Sequence, residues 1–440
     1  MSDTSLPQQF ADSMGALTGP DFPTDLAVAV SGGGDSMAML HLAAGWARIY
    51  GTRLWPVTVD HGLRPEGAAE AEMVAAECNL LGLPHSTLRW EGWDGTGNLQ
   101  DAARTARRDL IGRWRGICSH VLFAHTQDDQ AETFLLRLAR GSGVDGLAAM
   151  RATARVAAGP LPPLAVPGGP PGFASGPPDW TILRPLLDVS RADLRHYATV
   201  LRIPFVDDPS NADPRFDRVR VRALLDPLEA EGLTRARLSE TAARMARARV
   251  ALGRRAHDVA RDLLRPGLYG NVTLDRDGFA TVEAETRLRI AAAALQHVAS
   301  APYRPREAAL EAALDRWLAG GQGTLHGCLL IADGARLIVA REPAAAAAPV
   351  PVGVLWDGRW LTNGPDMQGL TQHFLGENGL TQVGGPRNYP RNHPRAACPG
   401  LPAIWQGDRL FACQALDFGP LHVLEHRPPG GDFPKRLLSD

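Results

Sequence analysis

Short apolar runs alternate with amphipathic stretches from residue 26 to about residue 138. The runs at 26–30, 53–59, 85–90 and 120–124 have the length of buried strands, and the intervening stretches 36–49, 66–81, 98–117 and 128–138 have the length and spacing of helices. Repeated strand–helix units of this kind predict a parallel sheet. Asp128, with Glu132 within the first turn, predicts the start of the fourth helix. The pattern breaks at 158–179, where Pro160, Pro162, Pro163, Pro167, Gly168, Gly169, Pro170 and Pro171 predict a flexible insertion without a packed core. Order resumes over 180–187, and Ser190, with Asp193 three positions on, marks a further helix start.

A long helix follows from 233 to 264. Leu238, Met245 and Leu252 repeat at heptad spacing, while Arg235, Arg244, Arg247, Arg254, Arg255 and Arg261 take other faces. Beyond it lie a helix at 306–318 and two strands, 324–331 and 336–340, joined through Asp333-Gly334 as a hairpin. The alanine run 344–348, bracketed by prolines, reads as a linker. Turns at Asp357-Gly358 and Gly407-Asp408 predict a small β-rich appendage after it. A chain of 440 residues exceeds one hydrophobic core. The expected organisation is an α/β, parallel-sheet, Rossmann-like domain at 1–225, a helical and small α+β domain at 226–342, and the appendage at 349–440.

Charge and cysteine usage narrow the function classes. The formal net charge is −2, so no whole-molecule field announces a nucleic-acid partner, although the arginines of 217–222 and of the long helix cluster locally. Lys435 is the only lysine, so no lysine is at hand for a phosphate loop in the first domain. Neither an apolar run of membrane-spanning length nor a basic and apolar leader is present, and a cytoplasmic protein with no membrane role is expected. The five cysteines, 78, 118, 328, 398 and 413, are scattered and form no C-x-x-C pair, which predicts free thiols.

The chemistry concentrates between the first strand and the first helix, in Ser31-Gly32-Gly33-Gly34-Asp35-Ser36. Glycines let backbone N–H groups converge on a phosphate, and the helix N-terminus adds the positive end of its dipole. Ser31 and Ser36 supply further donors. The loop lacks the lysine of G-x-x-x-x-G-K-[ST] and the spacing of G-x-G-x-x-G. Asp35 inside such a loop points to Mg²⁺ held against the phosphates. Loops following the first, second and fourth strands of a parallel sheet converge on one crevice, which gathers this loop with 60–64 and 125–132.

The loop resembles that of the PP-loop, or N-type, ATP pyrophosphatases. Val59-Asp60-His61-Gly62-Leu63-Arg64, His125-Thr126-Gln127-Asp128-Asp129-Gln130-Ala131-Glu132-Thr133, Arg184-Pro185-Leu186-Leu187 and Asp207-Asp208-Pro209-Ser210-Asn211 resemble segments of the tRNA(Ile)-lysidine synthetase family. The resemblance implies an enzyme that uses ATP and Mg²⁺ to adenylate the wobble cytidine of a CAU-anticodon tRNA(Ile). Free L-lysine then displaces AMP. It implies catalytic roles for Asp35, Asp129, His125 and Arg104, the last within a stretch that resembles the family's A-R-x-x-R-Y and also contains Arg107. Nucleotide contacts fall to Ser31, Gly32, Gly33, Gly34, Asp35, Ser36, Asp60 and His61. Asp35 and Asp129 would hold the metal; Arg64, Asp128, Glu132, Arg218 and Arg222 would face tRNA or lysine. Thr126, Arg108 and Val219 stand where the family usually has His, Tyr and Asn. A sulfur-inserting PP-loop enzyme is the nearest rival, and would call for reactive cysteines near the site; a non-catalytic nucleotide- or RNA-binding relative is the other. The sequence sets no oligomeric state, and a homodimer is compatible with it.

Overall fold

The computed structural model describes residues 4–63, 65–93, 95–157, 161–172, 179–207, 217–265, 267, 269–364, 367–384 and 393–438. The chain divides into two compact units, Met1–Arg247 and Ala248–Asp440. The first holds β1 (Asp25–Ala29), β2 (Arg53–Asp60), β3 (Ser86–Arg89), β4 (His120–Leu122), β5 (Thr153–Val156) and β6 (Trp180–Leu183) in one sheet of order β3-β2-β1-β4-β6-β5. All neighbours pair in parallel except β5 with β6. Its helices are α1 (Leu6–Thr18), α2 (Gly34–Tyr50), α3 (Gly67–Leu80), α4 (Leu99–Trp114), α5 (Gln127–Ala139), α6 (Val144–Leu147), α7 (Arg191–Val200) and α8 (Asp217–Ala230), followed by the long α9 (Arg235–Leu263), within which the division falls. This is the mixed α/β fold with a mainly parallel sheet that the alternating pattern predicts.

The alternating pattern does not announce α1. Its Phe10 and Met14, four residues apart, are fully buried and pack in the cluster that includes Met37 and Leu40 of α2. α2 is buried along most of its length because α1 and α7 cover it outside the sheet, so its apolar residues encircle it and show little helical contrast. The start of α5 also differs from expectation. Thr126, not Asp128, is the N-cap: its side chain accepts from the Asp129 backbone N–H, and Asp129 accepts from the Thr126 N–H in return. Asp128 is thereby released for contacts described below. The described part of the Pro/Gly-rich stretch, 161–172, is packed where the sequence predicts no core. Leu164 N–H donates to the Arg113 carbonyl, Ser86 Oγ to the Pro167 carbonyl and Ile117 N–H to the Pro171 carbonyl, while Leu164 and Val166 pack against a cluster containing Trp114 and Leu88. Proline removes donors but leaves its carbonyls, and here they are used.

The second unit holds an antiparallel sheet of order β7-β8-β11-β10-β9, from β7 (Leu264–Arg265), β8 (Val272–Asp275), β9 (Gly323–Leu325), β10 (Cys328–Asp333) and β11 (Arg336–Arg341). Helices α10 (Arg276–Ala280), α11 (Ala284–Ala299) and α12 (Glu307–Leu318) accompany it, and α11 and α12 bury Ile290, Leu295, Leu314 and Trp317 in its core. The expected hairpin at Asp333-Gly334 is present. The single strand expected at 324–331 is two, because His326 and Gly327 take φ of 56° and 71° and turn the chain back, so that β9 pairs with β10. Further on, β12 (Val350–Pro351), β13 (Trp360–Asn363), β14 (Thr371–Phe374), α13 (Gly376–Gln382), β15 (Pro402–Gln406), β16 (Arg409–Ala412), β17 (Val423–His426) and α14 (Phe433–Arg436) make a four-stranded and a two-stranded antiparallel sheet. Compactness groups these with the α+β part. Asp357 ties them together, accepting from Arg341 Nε and Nη2 at 2.8 Å each and lying 3.5 Å from Arg359 Nε.

Beside this tie the rings of His297 and His426 lie edge to face at 5.7 Å, and Trp360 packs on His426. Burial first, then His426, Arg359 and Arg436, depresses His297 from 6.5 to about 3; burial, then Arg359, depresses His426 to about 4 against the opposing Asp432. Both folded values lie below the unfolded one, so the stability they lend is complete above pH 6.5 and is lost as pH falls toward 4 and 3. Each ring should remove up to about 1.4 kcal/mol per pH unit in that window. Urea unfolding followed at pH 7.5 and pH 5 should show the loss, and His297→Asn should flatten it. An unchanged midpoint would contradict the assignment.

Candidate active site

The phosphate loop sits where β1 meets α2. Gly32 has φ +83°, a left-handed conformation that strains any side chain, whereas a Cβ on Gly33 or Gly34 would approach nothing in the protein closer than 3.5 Å. Gly32 is therefore required by the turn itself. Gly33 and Gly34 instead line an open cavity, and bare backbone there keeps N–H groups accessible. The serines close the loop on itself: Ser36 Oγ accepts from Ser31 N–H at 3.1 Å, lies 3.2 Å from Ser31 Oγ and donates to the Gly33 carbonyl at 2.9 Å. Val206 braces the far side, its N–H donating to the Gly32 carbonyl at 3.0 Å.

The cavity has a volume of about 450 Å³ and opens between β1 and β4, with lining from Val57 and Val59 of β2. β1 pairs with β2 on one side and β4 on the other, so the chain leaves β1 in opposite directions and a crevice opens at that switch point. Val57, Val59, Ile111 and Phe123 form an apolar wall, while Asp35, Asp129, His125, Arg107, Arg191, Arg218 and Arg222 supply charge and donors. Arg195, paired with Asp207 at 2.6 and 3.0 Å, closes another side with Phe205.

Arg191 organises the acids. From the first position of α7 its Nε reaches Asp35 at 3.0 Å, its Nη2 Asp129 at 3.4 Å and its Nη1 Glu132 at 3.5 Å, while its backbone N–H donates to Asp128 at 2.8 Å. Arg222 Nε also donates to Glu132, at 2.8 Å. Glu132 is fully buried, and its Oε2 has no partner among the described residues. Burial raises the Asp35 carboxyl above its ordinary value; Arg191 opposes that shift, and Asp129 and Asp128 add to it. For Asp129 burial works the same way, but Arg191, His125 and the Thr126 N–H outweigh it and hold the carboxyl low.

His125 stacks on Phe123, and its Nδ1 accepts from Arg184 Nε at 3.2 Å. Burial holds it to about 4, so at neutral pH it is uncharged. With Nδ1 occupied as acceptor, the proton of the neutral ring resides on Nε2, and His125 presents a donor, not a base.

Several expected residues take structural positions. Asp60 accepts from Gly62 N–H at 2.8 Å and shapes its turn, outside the cavity lining. His61 is half-buried against Trp90 and 3.4 Å from Arg107, and burial, then Arg107, holds it to about 4. Asp128 joins α5 to the start of α7 and to Arg235 of α9, the latter at 3.1 Å. Arg104 is exposed and outside the lining; Arg107, one turn on, faces the cavity and has no carboxylate partner among the described residues. Arg64 and 208–211 lie outside the described residues. Arg184 stands in a segment that the resemblance already marks, whereas Arg191 and Arg195 escape a reading of the sequence because single arginines in the first turns of a helix carry no motif. The only available signal is the position of Arg191 immediately after Ser190, whose Oγ accepts from Asp193 N–H.

The PP-loop domain family matches residues 6–229. The tRNA(Ile)-lysidine synthase of Ruegeria pomeroyi is 40% identical over 95% of this chain and 94% of its own length. The chain belongs to the tRNA(Ile)-lysidine synthase family. The Bradyrhizobium diazoefficiens member is 42% identical over 72% of this chain and 90% of its own, and the Wolbachia pipientis wMel member is 34% identical over 90% of each. As a member of this PP-loop enzyme family the chain uses ATP.

Cysteine chemistry has no place in the cavity. Cys78 and Cys118 are fully buried in apolar surroundings, and burial pushes both thiols up to about 12. Among the described residues no three His, Cys, Asp or Glu side chains converge as a ready metal site. Two hard carboxylates facing a phosphate loop nonetheless suit Mg²⁺, which commonly takes one or two carboxylates and completes its shell with water and phosphate oxygens. No helix among the described residues is long and apolar enough to cross a membrane.

Proposed function

We propose that this enzyme ligates free L-lysine to C2 of the wobble cytidine of CAU-anticodon tRNA(Ile), consuming ATP and releasing pyrophosphate and AMP. The reading rests on family membership. The observation within the fold that carries it is a phosphate loop and two pocket-facing carboxylates, Asp35 and Asp129, meeting at the switch point of the sheet. Cytidine O2 attacks the α-phosphorus and pyrophosphate leaves. The lysine amine then attacks C2, the C2–O2 bond breaks, and AMP departs with the oxygen.

The loop N–H groups and the positive end of α2 hold the phosphates. Asp35 and Asp129 would hold Mg²⁺, which when bound offsets negative charge developing on the departing pyrophosphate. Arg107, without an acidic partner among the described residues, presents an uncompensated cation to the cavity, and Arg218, whose charge also acts on Asp129, lines it too. His125 donates through Nε2 to an oxygen of the reacting centre. Glu132, fully buried and outside the cavity lining, holds the guanidinium groups of Arg191 and Arg222 in place at the cavity wall. Positioning of nucleotide, RNA and amino acid supplies much of the rate.

Incubation with ATP, labelled lysine and a CAU-anticodon tRNA should give stable lysine incorporation with equimolar AMP. ADP and orthophosphate as products, or incorporation without tRNA, would refute the assignment. The RNA backbone would lie along exposed arginines of α9 such as Arg247 and Arg254, which have no acidic partner among the described residues. Arg247→Glu or Arg254→Glu should weaken tRNA binding most at low salt, and each should make the plot of log Kd against log salt shallower by about 1 for every phosphate that the arginine no longer neutralises. A weakening independent of salt would remove that surface from the reading.

A further inference from the structure

Three carboxylates from two helices, Asp35 of α2 and Asp129 and Glu132 of α5, are in contact with two guanidinium groups, those of Arg191 and Arg222. Arg191 alone touches all three among the described residues. Its backbone is tethered as well, because Ser190 caps α7 and the Arg191 N–H is bound by Asp128. Its side chain remains 29% exposed, open to the cavity between the acids. A planar fork with five donors can serve three carboxylates at once, which a lysine ammonium cannot do with the same geometry.

We propose that Arg191 is a positioning residue, a resident cation that aims Asp35 and Asp129 at one point and competes with the divalent cation for them. The inference rests on the reading of Asp35 and Asp129 as metal ligands. Without Arg191 the two acids, on separate helices and of like charge, would repel each other and turn apart. With it they stay aligned, at the cost of weaker metal binding in the absence of nucleotide. The nucleotide's own phosphates then decide when the metal binds productively.

Mn²⁺ titration of the nucleotide-free protein, followed by the electron paramagnetic resonance signal of free Mn²⁺, tests this without recourse to turnover. Removing one competing charge at contact distance in Arg191→Gln should tighten Mn²⁺ binding by about tenfold. Asp35→Asn in the same background should abolish that gain. Arg191→Gln should also adenylate tRNA more slowly at saturating Mn²⁺, since the acids are no longer held. Arg191→Lys, which keeps the charge but not the fork, should show a smaller gain in affinity, and it carries the test if the glutamine variant does not fold. Folded variants that bind Mn²⁺ no more tightly than the parent would overturn the role of Arg191. Should Asp35→Asn and Asp129→Asn leave Mn²⁺ binding unchanged in both backgrounds, the metal reading would fall, and the competition with it.

Discussion

Asp129→Asn is expected to lower tRNA-dependent AMP formation by a factor of about 10² to 10³ while leaving the protein folded, since loss of a preorganised charge at a reacting centre costs that much. The two oxygens of Asp129 have different duties. Oδ2 accepts from the Thr126 N–H at 2.9 Å and from Thr126 Oγ1 at 3.0 Å, closing the capping box of α5; Oδ1 faces Arg191 and the cavity. Asparagine can keep its carbonyl on the Thr126 donors but loses the charge, so stability should fall by only about 1 to 3 kcal/mol, the value of hydrogen bonds to a charged group. Asp128→Asn provides the contrast. Its carboxylate serves the Arg191 backbone and Arg235, so it should lose stability and retain most of its turnover. Rates of pyrophosphate release and thermal midpoints, measured on both variants, separate the cases. An Asp129→Asn enzyme within threefold of the parent would remove Asp129 from the chemistry.

In the second unit, Asp357→Ala should cost about 3 to 5 kcal/mol, because breaking a buried ion pair strands the opposite charge. Arg341 and Arg359 are 8% and 1% exposed, and Asp357 is the carboxylate in contact with both. Arg359 already lies below its ordinary value, at about 10, through burial, with Asp357 opposing the shift. Without Asp357 both guanidinium groups must be reached by water or the tie must open. Asp357 also has φ +50°, which asparagine tolerates better than alanine, so Asp357→Asn keeps the turn and isolates the loss of charge. Hydrogen exchange over 336–363 should accelerate strongly in the alanine variant and less in the asparagine variant. Equal protection in all three proteins would show that the tie carries no stability.

What the sequence determined by itself follows from local physics. The alternation of strands and helices through the first sheet, the Ser190 cap, the Asp333-Gly334 hairpin and the glycine turn before α2 are set by residues within a few positions of each other. The meeting of the loops after β1 and β4 was also legible, because a parallel sheet with crossovers leaves little freedom in where its loops gather. Tertiary structure decided the rest. That Arg191, far beyond both Asp129 and Asp35 in the chain, should bridge them depends on α7 packing against α2, which no local pattern reports. The choice of Arg107 over Arg104 turned on which side of α4 meets the cavity, and the tautomer of His125 on Arg184 arriving from the end of β6. Segments that look structureless became ordered for the same reason. The carbonyls of Pro162, Pro167 and Pro171 found donors on α4, β3 and the turn after α4, partners that exist only once the sheet has formed. Local propensity fixes which elements form; charge pairing and burial between distant elements decide which side chains face the substrate.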